Sequence, residues 1–446
     1  MKIKGKDLTE GSPGKGLLIF ALPMILGNLF QQFYNMVDTI IVGKYVGEDA
    51  LAAVGASYAL TTVFVMIAIG GGTGASVIIS QYLGARENGK MKTAVSTAVI
   101  TFLGTSIVLG LIGILVNRQI LLALSTPDNI MEDAALYLKI YFTGLPFLFM
   151  YNILAAIFNS LGDSRTSLYF LIFSSVLNIF LDLFAVRILH MGVAGVAAAT
   201  VTAQGIAAIL SFIVLVRRLK GYDGEREFFD LSILGNMVKV AIPSIIQQSI
   251  VSVGMLLVQS VVNGFGSSVL AGYTAGMRLE SICIVPMISM GNAVSTFTAQ
   301  NIGAGKTERV RQGYKASYYI VGVFAVIICA VLLLFKNPLI RMFLEEGAGG
   351  EAFDTGVSYL SFIAYFFVFI GLKASTDGVL RGAGDVVVFT AANLINLAIR
   401  VSFAFGMAAV IGVKAVWFAV PIGWTVNYII SGLRYLSGQW SRKKLV

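Results

Sequence analysis

Long apolar runs separated by short polar turns fill almost the whole chain. Twelve runs, near 17–41, 50–80, 93–116, 135–157, 166–186, 193–216, 235–262, 270–299, 316–335, 356–380, 386–408 and 413–433, each reach the roughly 20 residues a helix needs to cross a bilayer. The breaks are compact and often glycine-containing, as in Gly84-Ala85-Arg86 and Gly303-Ala304-Gly305. The longest, from Arg217 to Asn236, carries Gly221, Gly224 and seven charged residues between Arg217 and Glu227. It predicts a linker at 221–235 between an amino-terminal lobe, 1–220, and a carboxy-terminal lobe, 236–446.

The pattern is written twice. Pro23 recurs as Pro243, Gly47 as Gly266, Gly72 as Gly291, and Gln81, Gly84, Ala85 as Gln300, Gly303, Ala304, at offsets of 219 or 220. Gly162-Asp163 recurs as Gly384-Asp385 at 222, and Gly192-Val193 as Gly412-Val413 at 220. So little drift means two nearly equal halves, the trace of an internally duplicated membrane transporter. Six spans per half is an even number, so both halves enter the membrane in the same orientation. The expected fold is therefore an all-α polytopic membrane protein, with twelve transmembrane helices in two parallel six-helix repeats, and function is expected between the halves.

Composition agrees. Hydrophobic residues make up 57% of the chain before its 48 glycines are counted, only 12% are charged, and mean hydropathy is +0.85; a soluble domain is about 25% charged. The basic start runs directly into the first span, so no cleaved signal peptide is expected. With the amino terminus inside, 22 lysines and arginines fall in inner segments and six (Lys44, Arg118, Arg187, Lys336, Arg341, Lys414) in outer ones. That bias obeys the positive-inside rule and places both termini in the cytoplasm of a multi-pass plasma-membrane protein. The net charge of +9 is thus topological and gives no support to nucleic-acid binding. Cys283 and Cys329 lie in apolar runs and imply neither a disulfide framework nor a metal site.

A carboxylate at mid-membrane costs about 2.5–3.5 kcal/mol on the insertion scale, so one that persists usually faces a cavity or a partner. Asp38, Asp182, Glu280 and Asp377 qualify. Asp38 follows Tyr34, and Asp182 follows Asn178, by four residues, which puts each acid and a polar group on one helical face. Thr200 in the sixth span can add a hydroxyl. If the first, fifth and sixth helices meet, two carboxylates share a pocket and cannot cheaply be doubly ionised, as a proton-coupling site requires. The same oxygens suit Na⁺. The plainer alternative for Asp38, close to Gly43-Lys44, is a helix-end acid at an interface.

Tyr34-x3-Asp38 with Thr39-Ile40-Ile41-Val42-Gly43, Gln81-x2-Gly84-Ala85, Asn178-Ile179 with Leu181-Asp182, and Leu380-Arg381-Gly382 together resemble the multidrug and toxic compound extrusion (MATE) transporters, over essentially the whole chain. The resemblance implies two six-helix lobes around a central cavity and an antiport of small organic, often cationic or amphiphilic, compounds against H⁺ or Na⁺, with no other cofactor and a monomer sufficient. In members of the prokaryotic branch with this amino-lobe acid pair, it implies a coupling-ion site at Tyr34, Asp38, Asn178, Asp182 and Thr200. Another branch carries acids early in the seventh span and deep in the tenth; here those stretches read Gln247-Gln248 and Phe369-Ile370-Gly371. Glu280, beside Arg278, and Asp377, four residues after Lys373, are candidates for substrate contact, as are Gln31 and Gln248. Asp377 is equally read as the partner of Lys373 or Arg381.

Other signals point to ordinary structure. Gly70-Gly71-Gly72-Thr73-Gly74 lacks the following lysine of a phosphate loop and lies inside a span, so it predicts close helix packing. His190 falls in a short outer loop. Gly382-Ala383-Gly384-Asp385 resembles the signature of intramembrane aspartyl proteases, but its repeat partner Asp163 sits in the equivalent turn, where Gly-Asp is turn and cap chemistry. The chain is read as no enzyme. Within transport the rival is a flippase for lipid-linked precursors, which would need a strongly cationic cavity.

Overall fold

The computed structural model describes residues 5–344, 350–443 and 445–446. Its helices are α1 (Pro13–Tyr45), α2 (Glu48–Gly84), α3 (Asn88–Ala123), α4 (Asp128–Thr143), α5 (Leu145–Ser160), α6 (Ser164–Arg187), α7 (Gly192–Leu219), α8 (Leu231–Asn263), α9 (Ser267–Gly303), α10 (Thr307–Arg341), α11 (Gly350–Ile363), α12 (Phe367–Ala383), α13 (Val386–Ile411) and α14 (Lys414–Leu436). No strand occurs among the described residues. Among the described residues eleven segments are long and apolar enough to cross a membrane, and the pair α4 and α5 makes a twelfth, bent by 52°. The predicted straight span at 135–157 is therefore two helices. Gly144 separates them, and Pro146 at the start of α5 has no N–H to continue the ladder, which is the usual cause of a sharp kink. Gly144 also admits α7, since a Cβ there would lie 2.3 Å from Val201. The related break in the second half is a 3₁₀ turn, Ala364–Phe366, between α11 and α12.

The repeat is exact in element order. Helix starts at Asp128 and Gly350, Leu145 and Phe367, and Ser164 and Val386 are all 222 apart. In the first half α2 packs on α3, α4 and α5, while α6 pairs with α7; in the second α9 packs on α10, α11 and α12, while α13 pairs with α14. Lipid is as apolar as leucine, so these pairings depend on close approach. A Cβ on Gly378 would lie 2.4 Å from the Gly291 carbonyl oxygen, and one on Gly382 2.2 Å from that of Ser295.

The chain forms two compact units, and they are not 1–220 and 236–446. One is Leu26–Ile245 with the segment ending at Lys6; the other is Asp7–Ile25 with Ile246–Val446. Both α1 and α8 change unit midway, at repeat-equivalent points. Glycines explain part of the exchange: Cβ atoms on Gly70 and Gly74 of α2 would lie 2.7 Å from Ile245 Cγ1 and 2.5 Å from the Met237 carbonyl oxygen, so that glycine run is the groove in which the start of α8 lies. The supposed linker is bonded too, with Glu227 N–H donating to Thr93 Oγ1 at 3.0 Å and Asp230 N–H to Thr97 Oγ1 at 3.1 Å. In the other unit, Leu8 N–H donates to Gln300 Oε1 at 3.2 Å, and Arg309 donates to the Glu10 carbonyl at 2.6 Å.

The two Gly-Asp turns do more than cap. Gly162 and Gly384 adopt φ of 77° and 83°, where a side chain is strained, and each following acid is buried against an arginine: Asp163 with Arg218, Asp385 with Arg434 Nε at 2.5 Å. Asp163 also accepts from Thr166 N–H at 3.1 Å, capping α6. His190 is an exposed residue of the turn between α6 and α7. Both cysteines are free, and no cluster of metal-ligating side chains exists among the described residues.

Candidate functional site

Three helices of the first unit meet through Val42 of α1, Val186 of α6 and Val196 of α7, which form one buried cluster with the Tyr137 ring packed against it. One helical turn away from each valine stand Asp38, Asp182 and Thr200, a spacing that keeps them on the same faces. The cluster therefore fixes which side chains converge. Tyr34 OH donates to Asn178 Oδ1, Asn178 Nδ2 donates to Thr200 Oγ1 at 3.4 Å, and Thr200 Oγ1 donates to the Val196 carbonyl at 3.1 Å. All five residues expected to gather are gathered.

Each carboxylate stands within electrostatic reach of the other. Asp182 is fully buried, and neither of its oxygens, nor Asp38 Oδ1, receives a hydrogen bond. Beside them lies a small polar cavity of about 40 Å³, lined by Gln31, Tyr34, Asn178 and Thr200 together with Tyr151, Ser174 and Gln204. Its donors and acceptors are mainly hydroxyl and amide groups, and with the carboxylates they form an oxygen-rich set suited to a proton or a hard cation. Tyr137 was not anticipated. It stands within electrostatic reach of Asp38, Asp182 and Tyr34, and the sequence signal that marks it is its repeat partner Tyr359, 222 residues on.

Of the remaining candidates Gln31 is brought to this place, and Gln248, Asp377 and Glu280 are not. Gln31 lines the cavity and donates to Asn35 Oδ1 at 3.0 Å. Gln248 is half-buried in the second unit. Asp377 is closed in by Lys373 Nζ at 3.0 Å, Asn393 Nδ2 at 3.2 Å and Ser431 Oγ at 2.7 Å, the pairing foreseen for it with Lys373. Glu280 is buried and accepts from Tyr359 OH, with Arg400 its cationic neighbour. Arg278, nearer in sequence, is exposed.

Duplicated six-span halves and an ionisable pocket inside the first define a polytopic membrane transporter. The MatE family model matches residues 23–184 and 243–406, once in each half. The chain is 32% identical to the "Probable multidrug resistance protein YpnP" of Bacillus subtilis, over 99% of both chains, and 24% identical to the "Probable multidrug resistance protein NorM" of Thermotoga maritima, over 97% of this chain and 94% of that one. Among solved structures, a MATE crystallised in complex with MaL6 superposes with a TM-score of 0.92 at 24% identity, covering 98% of this chain and 99% of that one. The chain belongs to the MatE family of multidrug efflux transporters.

Proposed function

We propose that the protein is a secondary antiporter that exports organic, cationic or amphiphilic, compounds in exchange for H⁺ or Na⁺ by alternating access, with Tyr34, Asp38, Asn178, Asp182 and Thr200 as the coupling-ion site. The observation that carries this reading is the set of three buried carboxylate oxygens with no donor from the protein. A buried acceptor left unsatisfied costs about 1–3 kcal/mol, and more if charged, so a purely structural role would be expected to bring a donor or a cation, as Asp163, Asp377 and Asp385 have. A proton shared between Asp38 and Asp182, or a cation held by both, supplies it.

Drug release and ion binding are then linked: occupation of the pair alters how α1 packs on α6 and α7, and the ion must bind the two access states with different affinity to shift them. The setting is the plasma membrane with both termini cytoplasmic, and one chain suffices. Fluorescent-cation flux in proteoliposomes, driven in turn by a pH and a Na⁺ gradient, tests this. Flux under one gradient, lost in Asp38→Asn and Asp182→Asn variants that remain folded, is the expected result. Flux undiminished in both variants overturns the site, and no flux under either gradient in folded wild type moves the assignment to a lipid-precursor flippase.

A further inference from the structure

The offset of 222 that relates α4–α6 to α11–α13 carries part of the amino unit's pocket onto the carboxy unit, with Asp182 falling on Ala404 and, at an offset of 220, Asp38 on Val258. Tyr137 maps to Tyr359, Ser174 to Asn396 and Asn178 to Arg400, while the offset of 220 at Gly192 and Gly412 maps Ala203 to Gly423. In the amino unit Ser174, Asn178 and Ala203 line the cavity. In the carboxy unit the same place is filled: a Cβ on Gly423 would lie 2.2 Å from Asn396 Oδ1 and 2.7 Å from Arg400 Cγ. The filled place is also polar. Glu280 of α9 accepts from Tyr359 OH of α11, Tyr273 packs edge-on against Tyr359 at 5.1 Å, and Arg400 of α13 stands in the field of all three. Cys283, one turn along α9, is the other titratable neighbour of Glu280. Arg400 is half-buried, and its Nε, like Asn396 Oδ1, is buried without a hydrogen-bond partner.

We propose that Arg400 is the built-in cation of the carboxy unit, holding permanently beside Glu280 the place that an exchangeable ion takes beside Asp38 and Asp182. The comparison rests on the coupling-site reading above. Its consequence is that the second unit keeps one charge state while the first changes, so a single chain has one ion-exchanging centre despite its duplication. Arg400 is a specificity-determining residue in this sense: it fixes ion stoichiometry by occupying the second site.

The test is the melting temperature of the purified full-length protein, at constant ionic strength, with Na⁺ exchanged for choline and in a pH series without Na⁺. R400N, which installs the residue found at the repeat-related position, should melt several degrees below wild type in choline at alkaline pH, and recover part of the loss with Na⁺ or acid. That recovery should persist in a D182N background. E280Q/R400N should regain wild-type stability and lose the new response, and R400K should behave as wild type. R400N melting as wild type, or a loss that E280Q does not suppress, overturns the proposal. Should R400N not fold, a folded E280Q/R400N supports it, and failure of both overturns it. D182N with Arg400 intact tests the coupling site separately: a wild-type ion response unchanged by D182N removes that reading, whereas the Glu280 and Arg400 comparison is read from R400N and E280Q/R400N, whichever residue stands at 182.

Discussion

Place the interiors of the two units side by side. The first holds a fully buried Asp182 and a half-buried Asp38 against hydroxyls and amides, with three carboxylate oxygens lacking a donor. The second buries Glu280, which accepts from Tyr359 OH, and Asp377, which is paired with Lys373. Helix order, breaks and even the Gly-Asp turns are shared, so what separates the units is where the positive charge resides. In the proposed reading one unit leaves it to come from outside, and the other carries it in the chain. The scaffold is shared and the electrostatics differ, and the lack of a counter-charge marks the proposed coupling site more clearly than the presence of acids does.

The largest expected contrast comes from neutralising one acid in each unit. Asp182→Asn removes a charge that has no partner, so folding should hold while gradient-driven flux falls to the leak level. Asp377→Asn strands Lys373 instead, and breaking a buried pair costs about 3–5 kcal/mol. Flux per folded molecule and thermal melting, measured together, separate the two; equal loss of stability in both variants would dissolve the contrast. Asp163→Asn belongs with Asp377→Asn, because it leaves Arg218, already with Nε and Nη2 unpartnered, without its carboxylate.

A smaller effect is expected of the related tyrosines. Tyr137→Phe removes a hydroxyl near the acid pair and should shift the half-saturating ion concentration several-fold without abolishing flux. Tyr359→Phe should leave that concentration unaltered and lower melting, since it removes the hydrogen bond to Glu280. A titration of flux against ion concentration decides, and the comparison fails if Tyr359→Phe moves the ion dependence as far as Tyr137→Phe does.

The smallest concerns the scaffold. A methyl on Gly74 meets α8 backbone, whereas one on Gly104 meets nothing within 4 Å. Gly74→Ala should cost about 1–3 kcal/mol through overpacking, and Gly104→Ala should be neutral or slightly stabilising, both by thermal melting.

Much of this was legible before any coordinates. A membrane demands long apolar runs, so twelve spans and a duplicated order follow from pattern, and i to i+4 spacing placed Tyr34 with Asp38 and Asn178 with Asp182. What the pattern hid is instructive. Tyr137 carries no charge and sits among other tyrosines, so only repeat arithmetic marks it. Arg278 drew attention because it lies two residues from Glu280, yet on a helix such neighbours face apart; the cation that matters, Arg400, is 120 residues away. The division at 221–235 followed charge, whereas packing follows glycine: Gly70 and Gly74 draw Met237 and Ile245 into the first unit.

That last feature bears on how such a chain arose and is made. Because α1 and α8 change unit at equivalent points, between Ile25 and Leu26 and between Ile245 and Ile246, neither unit is encoded by a continuous stretch. A ribosome cannot finish the amino unit until it has begun the second repeat, and a six-span ancestor would have traded its leading half-helix with a twin. Two separately expressed halves would regain activity only when synthesised in the same membrane.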